Sequence, residues 1–339
     1  MLQCDEKSVQ QLLNAAESIL HASESVAPSC TQLDKLTEHA YQRMSSVYQK
    51  AAAVCWRRMY TDACILRTLA DLMYDDPPKT SALLCAAVGR LDKAVVIAGA
   101  CGDGRLELIQ DLILEIQTDI SRPSSTIGEL PPSAAQRPVS LPATFAAPVP
   151  RLEIPPSLAT FISRLCDRPF VLPGFIRDWP AMNDHPWKSL EYLRSVAGPG
   201  RIVPIEVGSD YRSDDWTQKM MDMDDFLGAL HRFAHGNPDG SPILYLAQHS
   251  IFMQFPALRD DIIVPDYLYA SPPVPDNYPD YKPPRNEEQL VMNAWLGPGG
   301  TISPAHTVGS DRQRGASTIT DLLPRTLSTT ATVSRMLPY

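Results

Sequence analysis

A chain of 339 residues, 44% hydrophobic and 20% charged, has the makeup of a folded protein long enough for two domains. The net charge of −9 and isoelectric point near 5.3 argue against nonspecific nucleic-acid binding, which needs a broad basic face; a basic peptide or histone tail suits an acidic surface better. No apolar run approaches the roughly eighteen residues that span a bilayer, and the first twenty residues mix charge with helical periodicity where a secretion signal has an apolar centre, so nucleus or cytoplasm is expected.

Residues 7–120 read as helical almost throughout. Val9, Leu12, Leu13, Ala16 and Ile19 fall on one stripe; Leu106, Ile109, Ile113, Ile116 and Ile120 fall on another, with Asp103 as its N-cap. Between them 33–53, 56–72, 80–88 and 91–98 read as further helices, broken at Asp75-Asp76-Pro77-Pro78 and across Gly99 to Gly104. The expectation is an antiparallel array of about six helices, without the matching positions that would make it a repeat. Trp56, Tyr60 and Ala63 should face its core, with Arg57 and Arg58 in water. Cys4, Cys30, Cys55, Cys64, Cys85 and Cys101 lie here with no Cys-x-x-Cys pair and no histidine at zinc-finger spacing, and read as reduced, buried thiols.

Residues 121–156 carry nine prolines among Ser, Thr and Ala. Such a segment buries too little surface to offset its ordering entropy, so 1–120 is expected as a helical domain and 121–150 as a semi-extended linker. From Leu158 the texture changes to short strands and turns. Residues 202–208 read as a strand by their alternation, and 244–249 as another. His185, His231, His235 and His249 read as surface or internally satisfied histidines.

Residues 290–306, Leu-Val-Met-Asn-Ala-Trp-Leu-Gly-Pro-Gly-Gly-Thr-Ile-Ser-Pro-Ala-His, start apolar and β-branched, turn at Pro-Gly-Gly and end on a histidine. The pattern is a hairpin that delivers the imidazole of His306 to a fixed place. This stretch resembles the Asn-Ala-Trp-Gly-Pro-Gly-Thr-Ser-Pro-His motif of the JmjC (jumonji C) oxygenases, in the cupin-like branch that includes lysine demethylase 8. The block from Arg168-Pro-Phe-Val-Leu-Pro-Gly-Phe to Asp178-Trp179-Pro180-Ala181 resembles the opening strand of that family's domain, Trp187, Leu190, Tyr192 and Leu193 fit the helix that follows it there, and the run Cys55-Trp56-Arg57-Arg58-Met59-Tyr60 resembles its helical N-terminal domain. The resemblance implies an α+β fold, with the all-helical domain followed by a double-stranded β-helix of which 151–307 is the N-terminal part. It implies Fe(II) and 2-oxoglutarate as cofactors. It further makes His306 a metal ligand, Tyr245 and Ser303 holders of the 2-oxoglutarate carboxylate, and Glu206 with Trp295 the lining for a cationic side chain, arginyl or methyl-lysyl, of a protein substrate such as a histone. Without the family, Tyr245 and Trp295 are core aromatics, Glu206 an outward strand residue and Ser303 a turn former.

One departure governs the reading. In the family the histidine is followed by one residue and then by an aspartate, and the two bind iron; here the sequence is His306-Thr307-Val308, and no histidine follows. A facial iron site takes two imidazoles and one carboxylate, and Asp311 would fall on a different face. Stable binding of both cofactors is therefore not expected, and the chain is read as an inactive member. The alternative is a noncatalytic helical interaction module from a truncated or mis-spliced product. Val308-Gly309 codons match the start of a splice donor, and 308–339 read as a disordered tail foreign to the family.

Overall fold

The computed structural model describes residues 4–21, 26–46, 50–74, 78–120, 149–166, 169–208, 216–236, 241–270, 290–298, 316–320 and 327–335. The chain divides into two compact units. One comprises Met1–Ser125, Ala197–Val203 and Met220–Asp225; the other comprises Thr126–Val196, Pro204–Lys219 and Phe226–Tyr339. The expected linker falls almost entirely outside the described residues.

The first unit is built on α1 (Glu6–His21), α2 (Ala27–Ser46), α3 (Lys50–Met73), α4 (Ser81–Ala98) and α5 (Arg105–Thr118). Its core follows the three-and-four spacing of a helix stripe: α1 buries Ser8, Leu12, Ala15 and Ile19, and α5 buries Ile109, Leu112, Ile113 and Ile116. The α1 stripe is rotated from the expected one, for Leu13 is 45% exposed and Ala15 only 1%. Trp56, Tyr60 and Ala63 are buried as expected. Arg57 is exposed yet occupied: its Nε donates to the Ala98 carbonyl at 2.8 Å, satisfying an orphan acceptor where α4 ends.

Several sequence expectations need correction here. The two helices foreseen across 80–98 are the single helix α4, so the described residues of this region hold five long helices. Gly89, which falls between the two foreseen helices, lies inside α4, where a Cβ would make ordinary contact with Ile202 Cγ2 at 3.5 Å. The N-cap of α5 is Gly104 rather than Asp103, which offers only its backbone carbonyl to Arg105. The cysteines also differ from expectation: Cys4 and Cys55 form a disulfide across 51 residues of sequence, while Cys30, Cys64, Cys85, Cys101 and Cys166 are free.

Asp92, in the middle of α4, is fully buried. Arg201 meets it with Nε at 3.0 and 2.9 Å from the two carboxylate oxygens and Nη2 at 2.9 Å, and the Ile202 amide donates to the same carboxylate at 2.8 Å. Gln117 on α5 donates to the carbonyls of Ala197 and Pro199. Gly200, at φ +75°, passes so close to α4 that a Cβ there would lie 2.8 Å from the Cys85 Cα. Residues 197–203 are thus fastened to the helical unit by charge, by amide hydrogen bonds and by close backbone approach.

The strands are β1 (Ile202–Val207), β2 (Thr217–Asp222), β3 (Leu244–His249), β4 (Leu290–Pro298), β5 (Ala316–Thr320) and β6 (Leu327–Arg335), in one sheet of order β2-β1-β3-β4-β6-β5. The β1–β3, β3–β4, β4–β6 and β5–β6 pairs are antiparallel. Helices α6 (Leu158–Thr160), α7 (Leu190–Ala197), α8 (Met223–Ala234) and α9 (Ile251–Gln254) complete the long and short α-segments. The foreseen opening strand is reduced to one bridge, Arg151 to Val171, since Pro169 and the Pro173-Gly174 turn interrupt a ladder. The first arm of the foreseen hairpin is β4; its turn and second arm lie outside the described residues.

The tail, expected to be disordered, contributes β5 and β6. β6 pairs with β4 along its whole length, from Leu290 opposite Arg335 to Pro298 opposite Leu327. Its sequence, Leu-Ser-Thr-Thr-Ala-Thr-Val-Ser-Arg, is rich in β-branched residues, and β4 offers an open edge that an extended segment can complete. The remaining tail residues lie outside the described part.

A second buried carboxylate organises the other unit. Asp261 has no exposure and accepts from His185 Nδ1 at 2.7 Å, Trp187 Nε1 at 2.8 Å and Tyr192 Oη at 2.6 Å, while its carbonyl accepts from the Ala181 amide.

Removing one partner of a buried ion pair strands the other charge, at a cost of about 3–5 kcal/mol. Asp92→Ala should therefore lower the stability read by urea unfolding by about that much, and Asp92→Leu with Arg201→Leu should lose less because no charge is left behind. Equal losses in the single and double variants would contradict this account.

Candidate functional site

The sheet brings three of the predicted site residues to one face. Glu206 on β1 lies directly across from Tyr245 on β3, and Leu246 across from Leu296 on β4. Continuing that register by one residue sets Gly297 opposite Tyr245, and strand alternation then puts Trp295 on the same face as Tyr245 and Glu206. The other face carries Ile205, Leu246 and Leu296, each at most 3% exposed, which is the packed side that fixes the register. Trp295 is itself only 6% exposed, so β4 is covered on both sides.

The ladder is irregular between Leu246 and His249, so that His249 falls opposite Ala294 and turns to the packed face. There its Nε2 meets Gln254 Oε1 at 2.8 Å. His249 is buried and His185, though exposed, is held by Asp261, so both are satisfied within the chain, as the sequence suggested. His306 and Ser303 lie outside the described residues.

Burial pushes the Tyr245 phenol up to about 12, and the Glu206 carboxylate across the ladder adds to the effect. The phenol is a neutral hydroxyl donor throughout the physiological range. On the same face Tyr245 stands between the Glu206 carboxylate on β1 and the buried Trp295 ring on β4.

The residue read as a metal ligand, His306, lies outside the described residues, so the ligand set is read from the sequence. Among the described residues no three of His, Cys, Asp and Glu come together as a metal-holding group. At the motif itself Val308 stands two residues after His306 and has no donor atom.

Sequence reading overlooked Asp261, whose three side-chain partners lie 69 to 76 residues earlier. The one available signal was a carboxylate placed directly before the apolar pair Ile262-Ile263.

The raised phenol gives a titration test. Folded Tyr245 should ionise near 12 where an unfolded tyrosine ionises near about 10. Its share of stability is then whole below pH about 10 and lost as pH rises through the folded value. In a difference ultraviolet titration against Tyr245→Phe, Glu206→Gln should bring the midpoint down without restoring the unfolded value, because burial is the larger cause. A midpoint near 10 in the folded chain would refute the pairing.

No protein-family profile matches the chain. Individual relatives do. It is 30% identical over 308 residues to lysine-specific demethylase 8 of Danio rerio, a match covering 88% of this chain and 70% of that protein. To Jumonji C domain-containing protein 5 of Drosophila melanogaster it is 31% identical over 277 residues, covering 80% of this chain and 62% of the fly protein. A shorter match, 36% over 140 residues, reaches lysine-specific demethylase JMJ30 of Arabidopsis thaliana and covers 41% of this chain and 28% of the plant protein. With a helical N-terminal region, an antiparallel sheet and this extent of similarity to the zebrafish protein, the chain belongs to the JmjC-domain oxygenase family, whose fold is cupin-like.

Proposed function

We propose that this chain presents the substrate-facing wall of a JmjC oxygenase site but does not turn substrate over. The observation that carries the proposal is the shared sheet face of Glu206, Tyr245 and Trp295. A carboxylate beside an aromatic ring suits a guanidinium or a methylated ammonium group, the first through charge-assisted hydrogen bonds and the second through the ring face. The relatives named as lysine-specific demethylases support a methyl-lysyl side chain, as on a histone tail, as one substrate; an arginyl side chain is the other that this chemistry admits. Tyr245, a neutral donor, and Ser303 are assigned to the carboxylate of 2-oxoglutarate, and His306 to the metal.

Fe(II) and 2-oxoglutarate, when bound, would let dioxygen hydroxylate an aliphatic C–H bond of a protein residue, one oxygen atom going to the substrate and the other to the succinate formed as 2-oxoglutarate loses carbon dioxide; demethylation is the N-methyl case. Val308 withholds the carboxylate such a centre needs, and the second sphere of a metal does not replace a lost ligand. The residues of this chain are therefore assigned binding and orientation, with the nucleus or cytoplasm as the place where a histone or other protein tail is met. No helix among the described residues is long and apolar enough to cross a membrane. The similarity runs across both the helical region and the sheet, so it does not favour a helical interaction module as the whole function.

The test combines turnover and binding. Purified chain given Fe(II), 2-oxoglutarate and a trimethyl-lysine or arginine-rich peptide should form no succinate above a His306→Ala control. The same peptide, followed by fluorescence anisotropy, should bind about tenfold more weakly to Glu206→Gln, equivalent to about 1.4 kcal/mol. Succinate above the control overturns the inactivity, and unchanged peptide affinity overturns the assignment of the face.

A further inference from the structure

We infer that His231 and His235, at the C-terminal end of α8, form a two-imidazole site for a divalent transition-metal ion of the nickel or zinc class. The site uses none of the residues assigned to the oxygenase face. The two histidines are four residues apart, one helical turn, and the His235 amide still donates to the His231 carbonyl at 3.3 Å, so the turn stays closed through the second histidine. Their ring centroids are 4.2 Å apart with planes tilted by 36°. Paired histidines at this spacing on one helix face are a recurrent way of offering two nitrogens to one metal ion.

The tautomer is also set. His235 Nδ1 lies 2.8 Å from the His231 carbonyl oxygen, which only accepts, so Nδ1 carries the proton and Nε2 keeps its lone pair. Metal-ligating histidines are oriented by this same device, one ring nitrogen donating to a backbone carbonyl while the other binds. His235 is exposed and His231 partly so, which leaves an ion free to reach them and water to fill its remaining positions. Burial, His235 and Arg232, in that order, lower the proton affinity of His231, consistent with a neutral ring beside its partner. Arg232 is the cation that acts on His231; its Nη1 lies over Gly228, a turn earlier in the helix, 3.5 Å from where a Cβ would be. Imidazole pairs favour Ni(II), Cu(II) and Zn(II) over Mg(II) and Ca(II), which take oxygen ligands.

The experiment is calorimetric titration of the full, untagged chain with Ni(II), repeated with Zn(II) and with Mg(II). The wild type should bind one Ni(II) that His306→Ala leaves in place and that either His231→Ala or His235→Ala weakens by at least about tenfold. Mg(II) should give no heat. Both substitutions are at accessible positions, and circular dichroism of each variant confirms that α8 remains folded. Equal Ni(II) affinity in the wild type and both variants overturns the site, as does a wild type that binds no Ni(II) at millimolar concentration.

Discussion

The pairing of Asp92 with Arg201 is the constraint on which the helical unit turns. A carboxylate with no solvent exposure in the middle of a helix has to be matched, and the match comes from a residue 109 positions later in the sequence, supported by the Ile202 amide. The close approach needs a glycine at Gly200, whose left-handed backbone sits against Cys85. A side chain at Gly200 would push the segment away from α4, since its Cβ would lie 2.8 Å from the Cys85 Cα. Charge pairing, backbone conformation and packing therefore act on the same seven residues, 197–203, and explain why these count with the helices.

Within the sheet, alternation does the corresponding work. Ile205, Leu246 and Leu296 line up on the packed face, and their register sends Glu206, Tyr245 and Trp295 to the opposite one. A slip of one residue would exchange the two sets. The carboxylate, phenol and indole are thereby delivered together by hydrophobic packing on the far side, so the chemistry of the face depends on residues that never touch it.

Much of this was legible in the sequence. The core of α5 followed from its isoleucine spacing, the buried faces of Trp56, Tyr60 and Ala63 from theirs, β1 from its alternation, and β3 and β4 from short apolar runs between turns. What could not be read were consequences of distant neighbours. Gly89 disfavours a helix by propensity and still lies buried inside α4, held there by packing; Cys4 and Cys55 have no informative spacing and are joined by how α1 and α3 lie; Asp261 gathers partners from a different stretch of sequence. The tail was misjudged for a related reason: β6 has strand-forming composition but a polar pattern, and its pairing partner, β4, lies some thirty residues upstream, roughly a hundred ångströms of extended chain. At the motif, by contrast, the absence of a carboxylate at Val308 is a statement of sequence alone, while the positions of His306 and Ser303 lie outside the described residues.

The account joins membership in the JmjC oxygenase family to the proposal that a motif with valine two residues after its histidine does not hold iron. Electron paramagnetic resonance of Mn(II), which takes the place of Fe(II) without oxidising, measures that claim directly. With 2-oxoglutarate present, adding the chain to Mn(II) should leave the signal of the free aqua ion undiminished. Loss of that signal on adding the wild-type chain, restored by His306→Ala, would contradict the account and establish a working metal centre.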